Sequence, residues 1–359
     1  MKILHVITTL QTGGAEKLMV DLLPRFKAMG HQVDLCVFNG ERTAFYEQLE
    51  NAEIRIIPLA SKGSVYNPFH MIRLWKLMRN YDVVHTHNTA CQLFAAICSV
   101  LCSVVLVTTE HNTSNRRRQW KWYARVDKWM YSRYKKVISI SDATEANLRD
   151  FIGDRIDKIQ TIYNGIDVAK YANAKPIDRT SVTDHPERTI ITMVAGFRYQ
   201  KDHETVIRAA SHLQEGYEIW FVGDGERRNI IEAYIKEYGV EDRVQLLGIR
   251  TDVPSVLKAS DIVVMSSHWE GFGLAAVEGM AAGKPVVASD VAGISQVVDG
   301  AGILFPHGDE KALAYEIVKL TTDDAYRNEI VKKCQERAMQ YDICTMAKNY
   351  NKVYKELSK

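Results

Sequence analysis

Residues 261–289 read DIVVMSSHWEGFGLAAVEGMAAGKPVVAS. DIVVM is a short β-branched run that suits a buried strand, and VVAS is a second one. Between them GFG makes a glycine turn. LAAVEGMAA then carries helix-forming residues up to the glycine and proline that stop them. Strand, turn, helix and strand in so short a span form one βαβ unit, which predicts a parallel sheet.

The same alternation runs outward in both directions. KILHVIT opens the chain before a helix from about Ala15 to Met29. QVDLCVF, IRIIPL, DVVHTH, VVLVTT, KVISIS and KIQTIY follow as short apolar strands, separated mostly by helical stretches. Residues 171–187 (YANAKPIDRTSVTDHPE) are polar, hold two prolines and read as a linker. The pattern restarts with TIITMVA, EIWFVG, RVQLLG, DIVVMSS and PVVAS, with helices over 202–213 and 226–238. Helical stretches at about 309–338 and 343–357 complete it. The expected fold is α/β, with two tandem Rossmann-like domains over 1–170 and 188–340 and an interdomain cleft as the ligand site. A terminal helix within 341–359 is expected to pack back on the first domain.

Length and composition agree. The 359 residues suit two domains of roughly 150 residues each. At 46% apolar and 25% charged, the chain is ordinary for a soluble globular protein, which excludes disorder as its main theme. Six cysteines show no CxxC or zinc spacing, so reduced thiols are expected. MKILHVITTL lacks the features of a signal peptide. Thr89 to Thr109 carry no charge over 21 residues, long enough to span a bilayer. TACQLFAAICSVLC nevertheless suits a buried helix and SVVLVTT a buried strand, so helix plus strand is favoured over a membrane span.

Charge is unevenly spread. Residues 1–170 carry 23 Lys/Arg against 16 Asp/Glu, a net +7, whereas 171–359 carry 23 against 28, a net −5. The split suggests an anionic partner for the first half. Residues 116–136 (RRRQWKWYARVDKWMYSRYKK) hold nine Lys/Arg, one Asp, three Trp and three Tyr. That stretch fits an interfacial helix on an anionic membrane or, more plainly, a solvated helix with its aromatics in the core. No nucleic-acid module accompanies it, so no nucleic-acid partner is expected.

The glycine turn has chemistry of its own. GFGLAA (271–276) fits G-x-G-x-x-A, and backbone N–H groups at a helix start hold phosphate. A nicotinamide site also needs an acid about 20 residues on, where Asp290 stands. An NAD(P)-dependent oxidoreductase is therefore the alternative reading. Against it, the motif lies in the fourth strand–helix unit of its domain, and bulky Phe272 and the flanking Glu270 and Glu278 have no place in it. Other phosphate-binding features accumulate: Arg198 and Lys201 after Gly196, and the Gly13-Gly14 turn after the first strand. Gly223-Asp224-Gly225 reads as a structural turn. His111 follows a buried strand, His85 and His87 read as structural, and Asn88 is a candidate for the acceptor side.

With these blocks in hand the chain resembles the family-four retaining glycosyltransferases, which have the glycosyltransferase-B fold. The resemblance rests on GGAEK (13–17), DVVHTHN (82–88), TEHN (109–112), ISISD (138–142), IYNGID (162–167), FRYQKD (197–202), VGDGE (222–226), LLGIRTDVP (246–254) and above all 266–298, with seven residues between Glu270 and Glu278. It implies a metal-independent hexosyl- or N-acetylhexosaminyl-transferase that uses a nucleotide-sugar, a UDP-sugar favoured, and a saccharide or lipid-linked acceptor. It further implies that Arg198 and Lys201 clasp the donor diphosphate, with Gly13 and Gly14 abutting it. The N–H groups around Gly271, Phe272, Gly273 and Leu274 would hold phosphate oxygens, and Glu278 the ribose. Glu270 and His111 would face the transferred sugar, and Ile249 and Arg250 the base. Many members place the arginine directly after the glycine, whereas here Arg198 comes three residues before Lys201. No DxD occurs, so neither metal nor cofactor is expected. The implied setting is cytoplasmic, peripheral on the inner face of the membrane. A non-catalytic sugar-nucleotide sensor would share the same donor site.

Overall fold

The computed structural model describes residues 1–11, 13–111, 120–153 and 156–358. They form two units, Met1–Gly165 with Ile343–Lys359, and Ile166–Asp342. The strands are β1 (Lys2–Ile7), β2 (Gln32–Asn39), β3 (Arg55–Ala60), β4 (Val83–His87), β5 (Val105–Glu110), β6 (Lys136–Ser139) and β7 (Ile159–Thr161) in the first unit. The second holds β8 (Thr189–Val194), β9 (Tyr217–Val222), β10 (Val244–Gly248), β11 (Ile262–Met265), β12 (Val286–Ser289) and β13 (Ile303–Phe305). The helices are α1 (Gly14–Ala28), α2 (Ala44–Asn51), α3 (Phe69–Met78), α4 (Thr89–Cys98), α5 (Lys121–Arg133), α6 (Asp142–Ile152), α7 (Val168–Ala172), α8 (His203–His212), α9 (Arg228–Glu237), α10 (Val253–Ala259), α11 (Leu274–Ala281), α12 (Ser295–Val298), α13 (Glu310–Thr322), α14 (Asp324–Gln340) and α15 (Ile343–Leu357).

Both sheets are parallel. Their orders are β3-β2-β1-β4-β5-β6-β7 and β10-β9-β8-β11-β12-β13, so the expected α/β architecture of two doubly wound sheets holds. Burial on both faces explains the near-continuous apolar runs of the strands. In β1, Ile3 and Ile7 join the core under α1 and α15, with Phe26 and Tyr350, while Leu4 and Val6 join the opposite core with Phe94 and Met130. Residues 89–109 form α4, a short turn and β5, and no described helix is long and apolar enough to cross a membrane.

Three details differ from the sequence reading. The division falls at 165/166 rather than 170, and residues 171–187 belong to the second unit instead of forming a linker. Ile177 and Val182 pack on a core that includes Ile190 and Trp220. The Arg179 guanidinium donates to the Ala259 carbonyl at 2.8 Å and to Asp261 at 2.9 Å. Arg179 thus ties the segment to its own unit, although many of the other polar side chains face solvent. The stretch 309–338 is two helices, because the Asp323 side chain caps a new start by accepting from Tyr326 N. β13 is a three-residue strand too short for a periodicity reading.

Candidate active site

In the second sheet β8 has β9 on one side and β11 on the other. The chain leaves β8 and β11 toward opposite sides, which opens a crevice at their carboxyl ends. The loops after these two strands carry the paired charges and the glycine turn, and side chains stitch them together. Ser266 Oγ donates to the Asp202 carbonyl at 2.6 Å, Gln200 Nε2 to the Trp269 carbonyl at 2.8 Å, and His268 N to the Gln200 carbonyl at 2.8 Å. Asp202 adopts left-handed φ 51° and caps α8 through its carboxylate. This stitching brings the Lys201 ammonium onto the Glu270 carboxylate, which also accepts from Ser267 Oγ at 3.1 Å.

The glycine turn follows directly. Gly273 takes φ 91° at the start of α11, a conformation that strains any side chain. Phe272 is buried and meets Tyr341 edge-on, ring centroids 5.1 Å apart, so its bulk anchors the turn from behind. Gly293, at φ 91°, supports the loop from outside: a Cβ there would lie 2.3 Å from the Glu270 carbonyl. The first N–H groups of α11 have no intrahelical acceptor and carry the positive end of its dipole. Glu278 lies buried further along the same helix. Gly271, Phe272, Gly273, Leu274, Glu270 and Glu278 thus share one loop and helix, with Lys201 against them.

Arg198 begins the turn that leads to Lys201 and is exposed. Arg250 is engaged by Asp252 through two hydrogen bonds, 2.8 and 2.6 Å, and Ile249 beside it is 64% exposed. Gly223 confirms a structural turn: at φ 145°, its Cβ would fall 2.1 Å from the Ala195 carbonyl. Asp290, the acid of the nicotinamide reading, accepts from Ser295 Oγ at 2.7 Å.

The first unit has the equivalent crevice beside β1 and β4. Gly13 and Gly14 open α1 there. Asn88 caps α4 at φ 70°, uncommon for a non-glycine residue, and its side chain donates to Thr8 Oγ1 at 3.0 Å. His111 follows β5, and its Nε2 lies 3.0 Å from His87 Nδ1. Burial lowers its pKa to about 4. His5 and His85 join this group without any local mark in the sequence. His5 and His85 are register partners on neighbouring strands, a long-range pairing no local pattern reveals.

Two groups among the described residues have metal-ligand chemistry, His5/His85/His87 and Asp202/His268/His307. In the second, His268 Nδ1 is 2.5 Å from His307 Nε2, and the Asp202 carboxylate accepts from Thr205 N and Oγ1. Its donors are therefore occupied by one another and by a helix cap.

Of the basic aromatic stretch, residues 116–119 lie outside the described residues. α5 sorts the aromatics that follow. Tyr131 and Tyr134 are buried, whereas Trp120, Trp122 and Trp129 are exposed.

Comparison with known proteins agrees with this geometry. Residues 12–170 match the family model Glycosyltransferase Family 4, and residues 175–337 match Glycosyl transferases group 1. The Escherichia coli UDP-Gal:alpha-D-GlcNAc-diphosphoundecaprenol alpha-1,3-galactosyltransferase is 29% identical over 286 residues, 74% of this chain and 73% of that protein. The Bacillus anthracis N-acetyl-alpha-D-glucosaminyl L-malate synthase is 26% identical over 296 residues, 77% of this chain and 74% of that one. The structure of Anabaena Alr3699/HepE in complex with UDP and glucose shares the fold, with TM-score 0.87 at 22% identity over 99% of this chain and 100% of that one. These matches overturn the oxidoreductase alternative, since both family models are of sugar-transferring enzymes and together they span nearly the whole chain. The chain belongs to the family-four glycosyltransferases and has the glycosyltransferase-B fold.

Proposed function

We propose that this glycosyltransferase moves a hexosyl or N-acetylhexosaminyl group, with retention, from a UDP-sugar to a saccharide or lipid-linked saccharide in surface polysaccharide or glycoconjugate assembly. The observation that carries the reading is the junction of Lys201 and Glu270 beside the glycine turn that opens α11. A departing diphosphate needs preorganised positive charge, and this junction offers a cation, a helix start and carboxylates for hydroxyl groups in one place. In this reading Arg198 and Lys201 take the diphosphate together with the turn, without a metal. Glu278 takes the ribose, Glu270 the transferred sugar, and Ile249 and Arg250 the base. Gly13, Gly14 and His111 contribute from the first unit. The paired glutamates position substrate, and the leaving phosphate assists attack on the same face of the sugar. The donor class draws support from HepE, whose structures are described with UDP, UDP-glucose and glucose. The acceptor class draws on the diphosphoundecaprenol substrate in the name of the Escherichia coli relative.

A lipid-linked acceptor calls for a membrane-facing surface, and we place it on the first unit, with the protein peripheral on the inner face of the membrane. Trp120, Trp122 and Trp129 are exposed on or next to α5, and Lys121, Arg125 and Lys128 are exposed among them, while its one carboxylate, Asp127, is buried. Indole rings favour the headgroup level and clustered cations attract anionic lipid. The central test is a thermal-shift panel of UDP-sugars, GDP-sugars, NAD and NADP, followed by turnover with the donor found. Glu278→Ala and Lys201→Ala should each cut turnover sharply while the fold persists. Full activity in both would overturn the site.

A further inference from the structure

Three histidines of the first unit form a hydrogen-bonded line. His5 Nδ1 lies 3.1 Å from His87 Nε2, and His87 Nδ1 lies 3.0 Å from His111 Nε2. His5 and His87 are fully buried, and burial lowers the pKa of His5 to about 3 and of His111 to about 4, so all three rings are neutral near pH 7. A metal is a poor occupant of the cluster. The rings of His5, His85 and His87 stack, with interplanar angles of 11°, 19° and 30°, so their in-plane lone pairs do not converge on one point. Both nitrogens of His85 are also taken, by Tyr354 Oη at 2.5 Å and Thr109 Oγ1 at 2.8 Å.

A neutral imidazole has one N–H and one lone pair. A line of three such rings therefore has two self-consistent states. In one, His5 Nδ1–H donates to His87, His87 Nδ1–H donates to His111, and His111 keeps its proton on Nδ1. In the other, every proton sits on Nε2 and His111 presents a bare Nδ1. The two differ at the buried end. Among the described residues His5 Nε2 has no hydrogen-bond partner, so the first state strands a lone pair there and the second strands an N–H. Orphaned N–H donors are the rarer of the two in folded proteins.

We propose that His5 and His87 are positioning residues that hold His111 in its Nδ1–H tautomer, so that the first unit offers a hydrogen-bond donor, not a base, just beyond β5. A donor of that kind suits a sugar hydroxyl oxygen and leaves deprotonation of the acceptor to another group. The sugar as partner rests on the proposed function, whereas the tautomer does not.

The test is a long-range ¹H–¹⁵N imidazole spectrum of histidine-labelled protein near neutral pH, with His111→Asn to assign the signals. His87 and His111 should each show a protonated Nδ1 and a bare Nε2, the reverse of the preference of a free histidine side chain. A protonated Nε2 on His111 overturns the proposal. His5→Asp puts an acceptor where the Nδ1–H donor that sets the line now stands. His87 and His111 should then each carry the proton on Nε2, leaving His111 with a bare Nδ1. A His111 still fixed at Nδ1–H in His5→Asp overturns the role of His5. Should that variant fail to fold, the wild-type spectrum alone decides. Should no nucleotide-sugar be turned over, the proposed function fails while the spectrum still reads the tautomer.

Discussion

The contact between Lys201 and Glu270 invites two explanations, a fold-stabilising ion pair or a donor clasp, and a double-mutant cycle separates them. Lys201→Met leaves the Glu270 carboxylate, whose side chain is 9% exposed, without its cation. Breaking a fully buried pair costs about 3–5 kcal/mol. The Lys201 side chain is 21% exposed, so water compensates in part. We expect a loss of about 2 kcal/mol, or roughly 4–8 °C in the melting of a unit of this size. Glu270→Gln strands the better-solvated partner and should cost about 1 kcal/mol. With both replaced, no charge is stranded, and coupling of about 2 kcal/mol should leave a loss of about 1 kcal/mol, half that of Lys201→Met. Turnover should not return with it. Losing one preorganised donor at a developing anion costs about 10²–10³ in kcat, in the single and the double variant alike. Calorimetry gives the stabilities, and initial rates with the nucleotide-sugar found in the thermal-shift panel give the activities. A double variant that recovers both stability and turnover would refute the clasp and leave Lys201 an ion-pair partner alone.

Gly293→Ala should destabilise the second unit by about 2 kcal/mol or more, from left-handed strain and the clash with the Glu270 carbonyl, and should weaken UDP binding in calorimetric titration. Acid should unfold the first unit before the second. His5, His85, His87 and His111 all have pKa values depressed by burial, against His203 in the second unit, lowered to about 3. Each binds its proton in the unfolded chain below pH 6.5 but not in the folded one, so stability is full above pH 6.5 and falls as pH drops toward 4. With His31, also lowered by burial, the first unit has five such histidines among the described residues, so calorimetry at stepped pH should show that unit lost first, and simultaneous loss would contradict this. Sedimentation with anionic liposomes should show binding that fades at high salt and weakens when Trp120, Trp122 and Trp129 become Ala, whereas unchanged binding in that variant would count against the proposed membrane face.

The strands and the glycine turn were legible because their signals are local: β-branched runs, and glycine followed by a helix-forming stretch. The same locality explains what was missed. Phe272 looked unaccounted for because its partner, Tyr341, lies far along the chain. His85 and His87 read as structural, and His5 carries no local signal, because the β1–β4 register joins His5 to them and the β4–β5 register joins them to His111. Polarity in residues 171–187 suggested solvent, since sequence does not show that Arg179 reaches Ala259 and Asp261. The resemblance puts Arg250 where the base would lie, and only the structure shows it engaged by Asp252 two residues on.

The placing of α15 has a consequence for synthesis. Tyr350 and Tyr354 complete the core beneath β1 and hydrogen-bond, through Thr109 and His85, to the strands that carry the histidines. These tyrosines leave the ribosome only after all of residues 166–342. All of the second unit is therefore made before the first has the helix that completes its core. Synthesis of α15, more than 170 residues after β7, times the completion of the first unit's core, and a transcript cut short before residue 343 would yield the second unit beside an unfinished partner.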